Sequence, residues 1–204
     1  MNREHVEKVM ASSKGAKIVV ASKYLDEQGI LELFSYGLKD FGENRVDAFL
    51  AKHEALSAHE GIHWHFIGHL QSNKAKAIAN KIECLHSLDS LKLARILNAE
   101  RTTPLDCFVE LHLTENNAKS GVTEGDLQGF LDSLREFPNI HVIGFMAMSD
   151  KEMSEEEKRK VFAKAKSLAE KYGFSELSMG MSDDYPLAIE EGATVIRLGR
   201  ILLQ

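Results

Sequence analysis

A chain of 204 residues is the size of one domain, although it is short for an α/β barrel. Its formal net charge of −6, without any long basic stretch, gives no general attraction to nucleic acid. No stretch approaches the roughly 18 apolar residues that span a bilayer, and the polar residues 1–14 lack the apolar centre of a secretory signal. We therefore expect a cytoplasmic protein that binds neither nucleic acid nor membranes.

Strand-like and helix-like segments alternate along the whole chain. The predicted strands are short apolar runs at residues 18–22, 38–42, 63–68, 82–87, 106–113, 141–146, 175–179 and 194–198. The predicted helices that follow them are residues 26–36, 45–56, 74–80, 91–100, 127–136, 155–171 and 185–191. A further short helix, at residues 3–11, precedes the first strand.

Local signals support these boundaries. Ser154 and Glu157 have the spacing of a capping box at the start of the helix over residues 155–171. The charged residues 151–160 are interpreted as a solvated face of that helix. Three glycines stand where helices are expected to end, namely Gly37, Gly173 and Gly192.

Eight strand-then-helix alternations predict parallel strands joined by helices, and eight strands suit a closed barrel. The predicted fold is a single (β/α)8 TIM barrel over residues 1–204, as one domain without a linker. A doubly wound open sheet is the structural alternative. It is less favoured because no GxGxxG motif follows the first strand.

The cysteines and histidines raise the question of a metal site. Cys84 and Cys107 lie in strand-like runs without a CxxC partner, so both are expected to be small buried hydrophobic residues. His63 and His65 share one strand face, and His69 is close in sequence. Three ligands from one strand and its loop make poor zinc geometry, so packing or hydrogen bonding is preferred and no metal is expected.

Functional groups of a barrel lie at the carboxyl ends of its strands. If the barrel is correct, widely separated residues meet at one mouth. These residues are Lys23, Glu43, Asn44, His69, Gln71, Asn73, Asn116, Asn117, Lys119, Met146, Met148, Ser178, Met179, Gly180, Met181, Ser182, Arg197, Gly199 and Arg200.

Lys23 directly follows the first predicted strand. A lysine at a strand end is usually a solvated surface residue. In a closed mouth, desolvation and cationic neighbours such as Lys119 and Arg197 would lower its pKa and make the amine a nucleophile toward an aldehyde. Spacing alone leaves both interpretations open.

A phosphate site is a second candidate feature of the mouth. Residues 178–184 form a Gly-containing loop before a helix, where backbone N–H groups can hold phosphate. A plain loop with Ser182 as a helix cap is the alternative. Gly199 permits close backbone approach and Arg200 adds a cation. Arg197, within an apolar strand, either pairs with a carboxylate such as Glu110 or faces a ligand ring nitrogen.

Taken in order, the motifs at these positions resemble those of the pyridoxal phosphate homeostasis protein family. They run from about residue 18 to residue 201 and are ASK (21–23), FGEN (41–44), WHFIG (64–68), LQSNK (70–74), KSG (119–121), GFMAM (144–148), LSMGMSDD (177–184) and RLG (197–199). Each motif alone is weak, whereas the ordered set is highly specific. Two departures are His69, where the family usually has proline, and Arg200, where it often has threonine.

The resemblance implies a fold-type-III barrel similar to the N-terminal domain of alanine racemase, with pyridoxal 5′-phosphate (PLP) as its cofactor. Lys23 would carry the Schiff base, Arg197 would face the pyridine nitrogen, and Asn44 and Met146 would line the ring. Residues implied at the phosphate are Ser178, Met179, Gly180, Ser182, Gly199 and Arg200.

The resemblance implies a PLP carrier in cofactor homeostasis without an established catalytic reaction. Nothing in the sequence demands an oligomer, so a monomer is expected. A PLP-dependent racemase is the alternative, and it needs acid and base groups on both faces of the substrate. In racemases one such group comes from a second, β-rich domain, which the few residues after the eighth predicted strand do not supply. A Schiff-base aldolase, using the lysine on a sugar phosphate, is a third possibility.

Overall fold

A computed structural model of the protein describes residues 1–114 and 120–204. Its strands β1 to β8 are Lys17–Ala21, Asp40–Glu43, His63–Phe66, Cys84–Leu88, Leu105–Glu110, Ile140–Met146, Glu176–Met181 and Val195–Leu198. They pair in chain order, every pairing is parallel, and β8 pairs back with β1 to close a barrel. The (β/α)8 barrel is therefore confirmed, and the open sheet is wrong.

The helices surround this barrel. Helices α1 to α8 are Arg3–Ser12, Glu27–Ser35, Val46–Ala55, Ala75–Ile78, Leu91–Glu100, Glu124–Leu134, Glu155–Tyr172 and Tyr185–Glu190. Two 3₁₀ turns, Ser22–Tyr24 and Arg200–Leu203, follow β1 and β8 at the mouth. Within the described ranges, no helix combines the length and the apolarity that crossing a bilayer requires.

Strand residues alternate between two apolar clusters, because successive side chains of a strand point to opposite faces. Val20 and Phe41 belong to the large cluster that also contains the buried faces of the helices. Val19 belongs to a small cluster inside the barrel, together with Cys84 and Phe108. Both cysteines are free and buried, as predicted.

The helix signals read from the sequence are confirmed at α7. Ser154 accepts a hydrogen bond from the backbone of Glu157, whose carboxylate accepts one from the backbone of Ser154. Gly173 ends the helix with a φ of 76°, in the left-handed region that glycine adopts without strain.

Three predicted strand ends at the mouth are wrong by two residues or more. The third strand ends at Phe66 rather than at residue 68. The fifth strand ends at Glu110 rather than at residue 113, because the backbone N–H of Val122 returns to the Glu110 carbonyl. The seventh strand continues to Met181 rather than ending at residue 179, because Met181 pairs with Arg197 of β8. Most of the predicted phosphate loop is therefore strand.

Candidate functional site

A cavity of about 460 Å³ opens at the carboxyl ends of the strands. It is lined by several residues that the sequence placed at the mouth, namely Lys23, Asn44, His69, Met146, Met148, Met181, Ser182, Arg197, Gly199 and Arg200. Three residues that the family resemblance assigned to the cofactor do not line it, namely Ser178, Met179 and Gly180. Asn116, Asn117 and Lys119 lie outside the described residues.

Lys23 lies in the 3₁₀ turn after β1, and its side chain is exposed. Its Nζ lies 4.9 Å from the centroid of the Tyr24 ring. The sequence allowed for a desolvated amine in a closed mouth, whereas the amine of Lys23 is exposed to solvent. An exposed amine at the edge of a cavity is accessible to an aldehyde that enters from solvent.

A buried ion pair holds the turn that carries Lys23. The Lys52 ammonium donates to Glu43 Oε1 at 2.5 Å and to the Ser22 carbonyl at 2.7 Å. The Ser22 hydroxyl donates to Glu43 Oε1 at 3.1 Å. Glu43 is fully buried, so this residue, which the sequence placed at the mouth, anchors the turn from below. Lys52 lies on α3, and nothing local in the sequence marks it.

Arg197 lies on β8, is 4% exposed and lines the cavity. Its Nη1 donates to the carbonyl and the hydroxyl of Ser178, at 2.8 and 2.6 Å, and its Nη2 donates to the Ala147 carbonyl at 3.3 Å. Burial lowers the pKa of Arg197 to about 10, against the opposing charges of Asp184 and Glu110. Arg197 therefore stays a cation at neutral pH. In the described part of the chain, Arg197 forms no ion pair with Glu110, which was one of the two roles that the sequence allowed for this arginine.

Residues 178–180 have structural roles. Ser178 is fully buried, and its hydroxyl also contacts His86 Nδ1 at 2.8 Å. Met179 packs in the large apolar cluster. Gly180 has a φ of 91°, and a Cβ there would lie 2.6 Å from the Ala188 Cβ. This glycine therefore allows β7 to approach α8 closely.

Polar groups at the other side of the cavity converge on Ser182. The backbone N–H groups of Gly199 and Ile201 both donate to its hydroxyl oxygen, at 3.3 and 3.5 Å. Arg200 lines the same cavity, and its guanidinium forms an exposed ion pair with Asp183 at 2.9 Å. Backbone donors and a guanidinium at one cavity are suited to an anionic ligand.

Glu110 is a cavity residue that the sequence identified only as a possible partner of Arg197. Burial raises the pKa of its carboxyl group, while a hydrogen bond from the Ser120 hydroxyl, at 2.9 Å, opposes the rise. Lys151 and Lys158 also line the cavity. They belong to the charged residues 151–160, so the interpretation of that run as a solvated helix face is incomplete.

The three histidines considered for a metal contact two different carboxylates. His65 Nε2 lies 3.0 Å from Asp40 Oδ1, and His63 Nδ1 lies 3.5 Å from the same atom. His69, at the mouth, instead pairs with Asp89 at 3.2 Å. The contact of His65 with Asp40 is a hydrogen bond, which agrees with the role that the sequence favoured for this residue.

Comparison with known proteins gives consistent results. A sequence model of the family "Alanine racemase, N-terminal domain" matches residues 2–203. A pyridoxal phosphate homeostasis protein of Aquifex aeolicus is 37% identical over 196 residues, which cover 92% of this chain and 86% of that protein. The protein of the same name from Pseudomonas aeruginosa is 35% identical over 190 residues, or 91% and 82% of the two chains.

Solved structures show the same similarity. PipY of Synechococcus elongatus without PLP has a TM-score of 0.94 at 30% identity, with 100% of both chains covered. The structure of PipY with PLP bound has a TM-score of 0.88 at 30% identity, with 99% of both chains covered. Alanine racemase from Corynebacterium glutamicum has a TM-score of 0.74 at 17% identity, and the match covers 98% of this chain and 59% of the racemase chain. This similarity supports the fold alone.

The family match over almost the whole chain and the identity of 37% to a curated member agree with the ordered motifs at the barrel mouth. The chain belongs to the pyridoxal phosphate homeostasis protein family, which has the fold of the alanine racemase N-terminal domain.

Proposed function

We propose that this protein binds PLP through a Schiff base on Lys23 and serves PLP homeostasis without catalysing a reaction on amino acids. The observation that carries the proposal is the convergence of an accessible lysine amine, a buried guanidinium and backbone N–H donors on one cavity. The curated names of the relatives and the PLP-bound structure of PipY support it.

The donors around Ser182 fit the phosphate end of the cofactor. The N–H groups of Gly199 and Ile201 already converge on one oxygen atom, and Arg200 adds a cation to the lining of the same cavity. Lys23 lines the same cavity and fits the aldehyde end. PLP supplies an aldehyde, which condenses with a lysine amine and releases water.

Arg197 fits the ring end of the cofactor. A guanidinium has only donors, so it can hydrogen-bond to a pyridine nitrogen but cannot hold a proton on it, as a carboxylate would. The ring is then a poorer electron sink, which supports a role in holding PLP rather than in carbanion chemistry. The residues we propose to bind the cofactor are Lys23, Asn44, Met146, Ser182, Arg197, Gly199 and Arg200.

The absorbance spectrum of the protein mixed with PLP tests this function. The wild-type protein is expected to show the band of a PLP–lysine Schiff base, and Lys23→Ala is expected to lose it. Lys151→Ala and Lys158→Ala are matched controls, because both lysines line the same cavity, and both variants should keep the band. An unchanged band in Lys23→Ala would refute the assignment.

A PLP-dependent reaction on amino acids is the alternative, and Glu110 is the observation that favours it. This carboxyl group lines the cavity, and burial raises its pKa toward the range in which it can exchange a proton. The PLP-loaded protein would then exchange the α-proton of an amino acid in deuterated water at enzymatic rates. Loss of that exchange in Glu110→Gln would identify the acid–base group, whereas no exchange in the wild type supports homeostasis.

We also propose that the chain is a single domain and a cytoplasmic monomer. One family match over residues 2–203 supports the single domain. Light scattering on the purified full chain tests the oligomeric state, and a mass of two chains would contradict it.

A further inference from the structure

A line of buried polar side chains crosses the interior of the barrel. We define this polar line as Arg197, Ser178, His86, His65 and Asp40, which lie on β8, β7, β4, β3 and β2. From the cavity inward, Arg197 Nη1 lies 2.6 Å from Ser178 Oγ, which lies 2.8 Å from His86 Nδ1. His86 Nε2 lies 3.0 Å from His65 Nδ1, and His65 Nε2 lies 3.0 Å from Asp40 Oδ1. The three central residues are buried, and Ser178 and His86 fully so.

The two ends of the polar line fix the direction of every hydrogen bond. The guanidinium of Arg197 only donates, so Ser178 Oγ accepts from it and gives its single hydrogen to His86 Nδ1. His86 must then carry its hydrogen on Nε2 and donate to His65 Nδ1. His65 in turn carries its hydrogen on Nε2 and donates to Asp40.

The opposite direction leaves a buried donor without a partner. If His86 donated from Nδ1, Ser178 Oγ would accept from both neighbours, and among the described residues its own hydrogen would have no acceptor. A buried donor without a partner is destabilising. Burial also lowers the pKa of His86 well below its ordinary value, and the charge of Arg197 acts in the same direction. This favours the neutral ring that the direction requires.

We propose that the polar line positions Arg197 by fixing His65 and His86 in their Nε2–H tautomers, so that the remaining donors of the guanidinium are directed to the cavity. An arginine has five N–H donors, and the contacts with Ser178 and Ala147 use three of them. The two others serve the ligand in the cavity that Arg197 lines. That this ligand is PLP rests on the proposed function.

A metal ion is the competing explanation for these histidines. His65, Cys84 and His86 offer ligand atoms within 4.8 Å of one another. A metal would require His86 Nε2 to lose the hydrogen that faces His65, and Cys84 to ionise. Burial raises the pKa of the Cys84 thiol well above its ordinary value, which disfavours the thiolate. Hydrogen bonds alone satisfy every buried side-chain polar atom of the described residues.

Nitrogen NMR of the histidine rings, recorded on the full chain without PLP, tests the polar line independently of the cofactor. Both His65 and His86 are expected as neutral Nε2–H tautomers at pH 7. An Nδ1–H tautomer or an imidazolium at either residue would overturn the proposal. One equivalent of metal per chain, measured by elemental mass spectrometry on the same sample, would also overturn it.

The substitution Ser178→Ala connects the polar line to the site. It removes one acceptor of Arg197, so the Kd of PLP should rise roughly tenfold. Ser13→Ala is the matched control, because Ser13 is also buried and, among the described residues, its hydroxyl donates a hydrogen bond only to the Met10 carbonyl, away from the cavity. An unchanged Kd in Ser178→Ala would refute the proposal that the polar line positions Arg197. A wild type that does not bind PLP would refute the proposed function and leave the NMR result to decide on the polar line.

Discussion

The buried pair beneath Lys23 allows a quantitative prediction. In Lys52→Met, Glu43 loses a cation at 2.5 Å while its side chain stays fully buried. Removing one partner of a buried pair costs about 3–5 kcal/mol. Glu43 keeps two hydrogen bonds, from the Ser22 hydroxyl and the Asn44 backbone, each at 3.1 Å. We therefore expect the lower end of that range, about 3 kcal/mol.

The assay is reversible urea unfolding, with thermal unfolding as a second measurement. A loss of about 3 kcal/mol corresponds to a decrease of roughly 6–12 °C in Tm for a chain of this size. The double variant Glu43→Gln/Lys52→Met should recover part of the loss, because it contains no buried charge. The same variants should also bind PLP more weakly, since the Lys52 ammonium supports the Ser22 carbonyl in the turn that carries Lys23.

Lys74→Met is the matched control. Lys74 pairs with Asp47 at 3.3 Å, but the two side chains are 41% and 73% exposed. An exposed pair of this kind contributes at most about 1 kcal/mol. If Lys52→Met costs no more than Lys74→Met, the reasoning about the buried anchor is refuted.

Two further substitutions test the site and its neighbouring strand. The pKa of Glu110 is raised in the folded protein. The stability that this shift contributes is present below the pKa of Glu110 in the unfolded chain and is lost as pH rises through its pKa in the folded protein. Glu110→Gln should therefore gain stability relative to the wild type between about pH 4 and pH 8. Urea unfolding at both pH values measures this gain, and a difference independent of pH would contradict it. Gly180→Ala should destabilise by more than Gly15→Ala, because both glycines have a φ of 91° but only the new Cβ at Gly180 meets other atoms, at 2.6 Å from Ala188. Equal Tm values for these two variants would show that a methyl group fits between β7 and α8 without loss of stability.

The barrel was predictable because its strands are short and apolar, and each is followed by a helical period. Closure needed no residue-specific information beyond the count of eight alternations. Boundaries were less predictable at the mouth. The sequence from Ser178 to Met181 has the small and flexible residues of a loop, yet pairing with β8 extends the strand through it. Such tertiary pairing leaves no local signal.

The site was predictable where a residue follows a strand directly, as Lys23, Asn44 and Gly199 do. Lys158 reaches the cavity from a helix, so only the packing of α7 against the barrel places it there. His86 is the clearest omission, because its partners lie 21 and 92 positions away in sequence. A contact across a barrel interior depends on which side chains point inward at the same level, and a linear pattern does not contain that information.

The most direct test of the central claim is to reduce the PLP-loaded protein with borohydride and to locate the modified residue by peptide mass spectrometry. The account predicts one pyridoxyl group per chain, on the peptide that contains Lys23, with no modification at the two other lysines that line the cavity, Lys151 and Lys158. Modification of either of those lysines in place of Lys23, or a protein that remains unmodified after loading, would contradict it.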